Sequence, residues 1–284
     1  MMSSLSIVIP AKNEGTAIGD VVAAAVKEYP EAEVIVVDDG SDDNTADAAR
    51  DAGARVVQHP ESLGNGAAVK AGARAATGDV IAFMDGDGQH SAENFAPLLA
   101  RLDEGFDMAI GARSSDMHAN VGRLAANGIY NVVASWLANR RIPDLTSGFR
   151  VVRASLFKRF LYLLPNGFSY PTTITMAFMR AGFPICFEPI PVTKRIGKSH
   201  IRPIRDGVRF MVIIFKIATL YSPLKIFLPI SSLFFATGAA WYGYTFATLG
   251  RFTNMSMLLF SASVIVFLIG LISEQITALT YSKS

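Results

Sequence analysis

A single cysteine, Cys186, in 284 residues excludes an intrachain disulfide and any zinc site built on cysteine pairs. Charged residues make up only 18% of the chain against 51% hydrophobic, which excludes disorder and is too apolar for an ordinary soluble domain. The stretch Met1 to Ser6 has neither a basic segment nor a long apolar run, so no signal peptide is evident and the amino-terminal body is expected in the cytosol. Basic residues are scarce in that body: residues 1–193 hold 16 Lys and Arg against 22 Asp and Glu, while residues 194–225 hold 8 against 1. An acidic body excludes a duplex nucleic acid partner, which needs a basic footprint. A basic belt beside an apolar tail suits an anionic membrane surface.

Through the first 190 residues, short β-branched runs alternate with Ala-rich helical stretches, the pattern of an α/β fold with a mostly parallel sheet flanked by helices. Strands are expected at Leu5–Ile9, Glu33–Val37, Arg55–Gln58, Val80–Met84, Met108–Gly111 and Ile185–Pro189. Helices are expected over 16–28, 43–52, 66–76, 91–104, 121–139, 154–163 and 171–181. Polar residues collect where strands end, and in open parallel sheets that is where ligands bind. The tail differs: Ile226–Leu249 and Met255–Ser273 are uncharged runs of 24 and 19 residues, each near the roughly 20 residues needed to cross a bilayer core. Eight basic residues flank the first run and only Arg251 lies between the two, which predicts a body and both termini on the cytoplasmic side of the cell (inner) membrane. Between body and spans, Val208–Tyr221 mixes apolar clusters with Arg209 and Lys216, as in a helix lying in the interface.

Five clusters carry the chemistry: Pro10-Ala-Lys-Asn-Glu14, Asp38-Asp-Gly-Ser-Asp42, Gly64-Asn-Gly66, Asp85-Gly-Asp-Gly-Gln-His90 and Leu145-Thr-Ser-Gly-Phe-Arg150. Gly64 to Lys70 lacks the Gly-Lys-Ser/Thr of a P-loop, and no Gly-x-Gly-x-x-Gly follows the first strand. The 85–96 stretch is no calcium hand, since His90 stands at the glycine position and Ala96 at the glutamate position. Asp85 and Asp87, separated by an unhindered glycine, read either as a turn with solvated acids or as two carboxylates on one cation. Oxygen ligands in so small a number suit Mg²⁺ or Mn²⁺ with a phosphate-bearing substrate. Asp38 and Asp39 read either as a helix-cap region or as acceptors for a nucleoside base and ribose.

In combination and order, these clusters resemble the inverting nucleotide-sugar glycosyltransferases of GT-A fold, specifically the polyprenyl-phosphate branch that includes dolichol-phosphate mannose synthases and undecaprenyl-phosphate sugar transferases. The resemblance runs from Ser6 to about His200 and extends to the two-span tail. It implies that Pro10, Ala11, Asn13, Glu14, Asp38, Asp39, Gly64, Gly66, Lys70 and Asp85 hold the nucleotide sugar. Asp85, Asp87 and Gln89 would form the metal site, with Asp85, Asp87 and Arg123 catalytic. Arg113, Arg123, Asn127, Arg195 and Lys198 would take the lipid phosphate. Relatives of this type also assemble through their membrane helices, which implies a homo-oligomer, a tetramer by resemblance. Asn127 stands where many relatives have Ser, and Gly111-Ala-Arg113 replaces the more usual Gly-Ser-Arg.

The division expected is a GT-A catalytic domain over 1–200, basic juxtamembrane helices over 201–225, and a two-helix membrane region over 226–284. A phosphate acceptor needs no general base, because a phosphate monoester with second pKa near 6 is already largely dianionic at neutral pH. Outside these assignments, Arg113 and Arg123 can each be read as surface arginines and Arg150 as a salt bridge in the sheet layer. His90 and His118 are expected to be solvated, and Trp136 and Phe149 to serve in packing. Two alternatives stay open: a processive polysaccharide synthase, which should carry more spans and a Gln-x-x-Arg-Trp signature, and a non-catalytic membrane-anchored nucleotide-binding scaffold.

Overall fold

The computed structural model describes residues 4–113, 131–132, 134–167, 170–191, 215, 219 and 221–282. They divide into two compact units, Met1–Ser135 with Arg141–Pro203, and Trp136–Arg140 with Ile204–Ser284. The first is built on seven strands: β1 (Leu5–Ala11), β2 (Glu33–Asp38), β3 (Arg55–Gln58), β4 (Val80–Phe83), β5 (Met108–Arg113), β6 (Arg150–Arg153) and β7 (Ile185–Ile190), in the order β3-β2-β1-β4-β6-β5-β7. Every pairing is parallel except those of β6, which runs antiparallel to both β4 and β5. Strands covered on both faces read as continuous apolar runs, and Ile7, Val8, Ile9, Ile35, Val36, Val37, Ile81 and Ala82 are all fully buried.

Helices α1 (Ile18–Glu28), α2 (Thr45–Asp51), α3 (Asn65–Ala75), α4 (Phe95–Asp103), α5 (Ala154–Arg159) and α6 (Tyr170–Arg180) flank this sheet. In α1, Ile18, Val21, Val22 and Ala25 recur at helical spacing and form its buried face. Register aligns the strand ends that matter. Ala11 pairs with Asp38, and Val8 pairs with Phe83, so the residues just beyond β1, β2 and β4 emerge side by side. The strand β6 was not expected from sequence. Its four residues begin and end in arginine, and only pairing with β4 and β5 makes it a strand. The expected helix 121–139 is helical at 134–138, its earlier part lying outside the described residues, as do most of residues 208–221.

The second unit contains a hairpin of two long helices, α7 (Leu224–Leu249) and α8 (Asn254–Ser282). At 26 residues, α7 is about 39 Å long, enough for a hydrocarbon core of about 30 Å. It ends at Gly250, whose left-handed backbone (φ 62°) lets its N–H reach Phe246 O at 3.0 Å. The helices meet through small and hydroxyl residues. Ser231 Oγ donates to Ser263 O at 2.9 Å, and Ser263 Oγ returns the bond to Ser231 O at 2.9 Å. Large apolar side chains such as Leu233, Phe235, Val264, Ile265 and Ile272 face outward. A helix pair with hydroxyls inside and an apolar exterior is suited to lipid.

Candidate active site

A cavity of about 390 Å³ opens where the carboxyl ends of β1, β2 and β4 converge. Pro10, Ala11 and Glu14 line it after β1, Asp39 after β2, Gly64 before α3, and Asp85 and Asp87 after β4. These seven candidates are therefore brought together from strand ends that are far apart in sequence.

Asn13, exposed, and Asp38, buried, are not among the residues that line the cavity. Asn13 adopts a left-handed backbone (φ 55°), and its Oδ1 accepts from Asp42 N–H at 2.9 Å. Asp38, 2% exposed, accepts from the Ser41 N–H at 3.0 Å, from the Ser41 hydroxyl, and from Gln58 Nε2 at 3.1 Å. These two residues tie the β1 and β2 loops together. Asp39, in the wall of the cavity, ties the end of β2 to the loop that leads into α3. Its carboxylate meets His59 Nδ1 at 2.8 Å and accepts from Ser62 Oγ at 2.8 Å, Leu63 N–H at 2.9 Å and Gly64 N–H at 2.8 Å. Burial alone would raise its pKa, but the donors from His59, Leu63, Gly64 and Ser62 outweigh it and hold the carboxyl below the usual range. Neither acid caps α2, whose first residue is Thr45.

Gly64 has φ 102°, open only to glycine without strain. At Gly66 a Cβ would stand 2.0 Å from Pro165 O, because the turn 165–167 lies directly on the start of α3. Asn166 O accepts from Ala67 N–H at 2.8 Å and Gly167 O from Gly66 N–H at 3.3 Å. Lys70 Nζ donates to Leu164 O at 3.1 Å and to Asn166 Oδ1. Gly66 and Lys70 thus dock a distant turn, while Gly64 faces the cavity.

Asp85 and Asp87 leave β4 on a loop that turns at Gly88 (φ 69°), and Asp87 Oδ1 accepts from Gln89 N–H at 3.1 Å. Among the described residues, no group of three or more His, Cys, Asp or Glu forms a complete protein cage for a metal. Two acids on one short loop suit a cation that takes its remaining ligands from water and phosphate.

The region beyond β5, outside the lining of the cavity, is organised by an ion pair. Arg113 Nε and Nη2 donate to the two oxygens of Asp144 at 2.7 and 3.0 Å, and Nη2 also donates to Thr146 Oγ1 at 2.6 Å. The Asp144 side chain is 8% exposed and that of Arg113 43%. Hydrogen bonding to Asp144 raises the Arg113 pKa. For Asp144, burial pushes upward but the Arg113 guanidinium prevails and holds the carboxyl down. Asn131 fixes the segment, donating to Pro143 O at 2.6 Å and accepting from Leu145 N–H at 3.1 Å. Asp144 stands immediately before the Leu145–Arg150 cluster and is not singled out by it. Its role follows from contact with a residue 31 positions earlier.

His90 corrects an expectation. It is 9% exposed rather than solvated, and its ring stacks on Phe149 at 4.8 Å, with Phe149 stacked in turn on Phe95 at 4.3 Å. Burial pushes its pKa down. Phe149 is a packing residue as expected, whereas Trp136 is 51% exposed and not part of the core. Arg150 makes no salt bridge: it is wholly buried and bonded to neutral groups. His118, Arg123, Asn127, Arg195 and Lys198 lie outside the described residues.

Residues 6–161 match the glycosyl transferase family 2 domain. The chain belongs to that family. Residues 222–279 of this glycosyltransferase match a second domain, the GtrB C-terminal hairpin, over the α7–α8 pair. It is 32% identical over 205 residues to a dolichyl-phosphate hexose transferase of Haloferax volcanii, covering 72% of this chain and 89% of that one. It is 27% identical over 228 residues to a polyprenol monophosphomannose synthase of Mycolicibacterium smegmatis, covering 75% and 84%. Its fold is shared with glucosyl-3-phosphoglycerate synthase from Mycobacterium tuberculosis, crystallised with Mn²⁺ and UDP-glucose. The TM-score is 0.61 at 23% identity, over 76% of this chain and 78% of that one.

Proposed function

We propose that this glycosyltransferase moves a sugar from a UDP- or GDP-sugar to a polyprenyl phosphate, undecaprenyl or dolichyl, with inversion at the anomeric carbon. The observation that carries the reading is the pairing, in one chain, of a strand-end cavity bearing Asp85 and Asp87 with an apolar two-helix hairpin. The printed names of the relatives, a dolichyl-phosphate hexose transferase and a polyprenol monophosphomannose synthase, support the lipid acceptor.

Residues 1–200 form the catalytic domain in this reading, 201–225 the basic interfacial segment and 226–284 the membrane anchor of an inner-membrane, multi-pass protein. The body lies on the cytoplasmic side, and the hairpins assemble into a homo-oligomer, a tetramer in the reading by resemblance. Pro10, Ala11, Glu14, Asp39 and Gly64 enclose the nucleoside, with Asn13 and Asp38 holding the loops that do so and Gly66 and Lys70 bracing the loop beyond. Asp85 and Asp87, with Gln89, would hold Mg²⁺ or Mn²⁺. Such an ion supplies charge neutralisation for the departing diphosphate. Arg113, oriented by Asp144, together with Arg123, Asn127, Arg195 and Lys198, receives the acceptor phosphate. Arginine binds it through parallel hydrogen bonds that lysine cannot copy. The acceptor is already dianionic at neutral pH, so its oxygen attacks without a protein base, and in-line displacement inverts the sugar.

Membranes containing the enzyme, incubated with labelled UDP- and GDP-sugars and with undecaprenyl or dolichyl phosphate, should yield a labelled, chloroform-soluble monophosphate sugar lipid. No labelled lipid from any donor and acceptor combination would refute the assignment.

A further inference from the structure

Arg150 is a fully buried cation, 0% exposed. Its Nη1 donates to Thr175 Oγ1 at 3.2 Å, Pro171 O at 3.3 Å and Met108 Sδ at 3.8 Å, and its Nη2 donates to Ser147 O. The guanidinium lies 5.7 Å from the centroid of the Tyr170 ring. Every hydrogen-bond acceptor is neutral and, among the described residues, Nε has no hydrogen-bond partner, although the carboxylates of Asp144 and Asp85 act on the guanidinium through space. Burial pulls the pKa down, yet a guanidinium stays protonated at neutral pH. A buried charge with no counter-ion in direct contact among the described residues is costly, and an apolar residue of similar volume would usually serve stability as well. The bonds to Ser147, Pro171 and Thr175 explain hydrogen-bond donors at this place but not a full charge.

The neighbourhood offers a use for the charge. Phe83, the register partner of Arg150, is two residues before Asp85. Tyr170 Oη donates to Gly148 O at 3.3 Å, and a Cβ on Gly148 would lie 3.3 Å from that hydroxyl and 3.5 Å from both carboxylate oxygens of Asp85. Arg150, Tyr170, Gly148 and Asp85 thus form successive layers from the core to the cavity. We propose that Arg150 is a positioning residue for the donor, its buried guanidinium, bonded to no counter-ion among the described residues, supplying a fixed positive field that favours the diphosphate of the nucleotide and opposes a bare divalent cation. Such a field is little screened by solvent, and its sign separates the two ligands. The inference rests on the donor site proposed at Asp85 and Asp87.

The test uses the full chain in detergent. Mn²⁺ binding is measured by loss of the free-ion electron paramagnetic resonance signal, and UDP and GDP binding by calorimetry in EDTA, for wild type, Arg150→Met, Arg150→Gln and Arg150→Lys. Diphosphate affinity is expected to fall about tenfold in the two uncharged variants, with Mn²⁺ affinity unchanged or higher, while Arg150→Lys stays within about threefold of wild type. Two uncharged variants are used so that misfolding of one leaves the comparison intact. Wild type that binds neither Mn²⁺ nor diphosphate overturns the donor site itself and this role with it. Wild type that binds both, with uncharged variants that weaken diphosphate and Mn²⁺ together or weaken neither, overturns the role of Arg150 alone.

Discussion

The cavity wall and the region beyond β5 hold their buried acids by different means. Beyond β2, Asp39 is surrounded by an imidazole, a hydroxyl and two backbone amides. Beyond β5, Asp144 is gripped by a guanidinium through two parallel bonds. Both carboxyls end below their ordinary pKa despite burial. The first arrangement shapes a loop and leaves the acid as a wall of the cavity. The second fixes the direction of the Arg113 guanidinium. Asp85 and Asp87 provide the charge on which the proposed chemistry turns.

The largest expected effect is at that centre. Asp87→Ala should lower transfer by on the order of a hundredfold or more, equivalent to about 2.7 kcal/mol, with the melting temperature of the detergent-solubilised protein nearly unchanged. Wild-type transfer should likewise stop in excess EDTA, and undiminished turnover there would remove the metal from the mechanism. Next is Asp144→Asn, which keeps shape but weakens the hold on Arg113. An apparent KM for the lipid acceptor raised about tenfold, with KM for the nucleotide sugar unchanged, would place Arg113 on the acceptor side. Equal increases in both would erase the distinction between the two regions.

Much of this arrangement was legible in the chain because the strands are buried on both faces and carry their polar residues at their ends. β3 matches its expected bounds, and Asp85 and Asp87 were recognisable as paired acids after β4. What escaped depends on partners remote in sequence. β6 is four residues flanked by arginines, and it becomes a strand only through Phe83 and Ile110. The solvated reading of His90 failed because its ring is covered by Phe149, 59 positions later. The amine of Lys70, a residue assigned to the nucleotide sugar by resemblance, bonds to the turn at residues 164–166, a contact that no local pattern announces. The hairpin was the easiest part to read, since length and apolarity alone define it, although α8 runs on to Ser282.

A smaller effect probes how the cavity wall is braced. Gly66→Ala places a methyl group 2.0 Å from Pro165 O, a backbone atom that cannot turn aside, so the 165–167 turn must move. A destabilisation of about 1–3 kcal/mol is expected, read from thermal melts, together with weaker nucleotide binding if that turn supports Gly64. A stable Gly66→Ala protein with wild-type nucleotide affinity would show that the turn is not part of the brace.

The smallest effect compares the two buried acids directly. For each, the folded pKa lies below the unfolded value of about 3.9, so its contribution to stability is full above that value and is lost as pH falls through the folded pKa. Melting curves of wild type against Asp39→Asn and of wild type against Asp144→Asn should therefore show gaps that hold from pH 7 to about 5 and shrink below about 4. Salt should then separate them. The Arg113 side chain is 43% exposed, so its attraction to Asp144 is partly screened, and moving from 0.1 to 1 M KCl shortens the screening length from about 10 to about 3 Å. Asp39 is held by the His59 imidazole, two backbone amides and one hydroxyl, bonds of short range at a carboxylate more fully shielded from solvent. At pH 7 the Asp144→Asn gap should narrow by a few tenths of a kcal/mol, on the order of a surface ion pair, while the Asp39→Asn gap stays constant. If both gaps respond alike to salt, the bonds to Asp39 are screened as much as the Arg113–Asp144 pair, and the contrast between the two acids is one of position only.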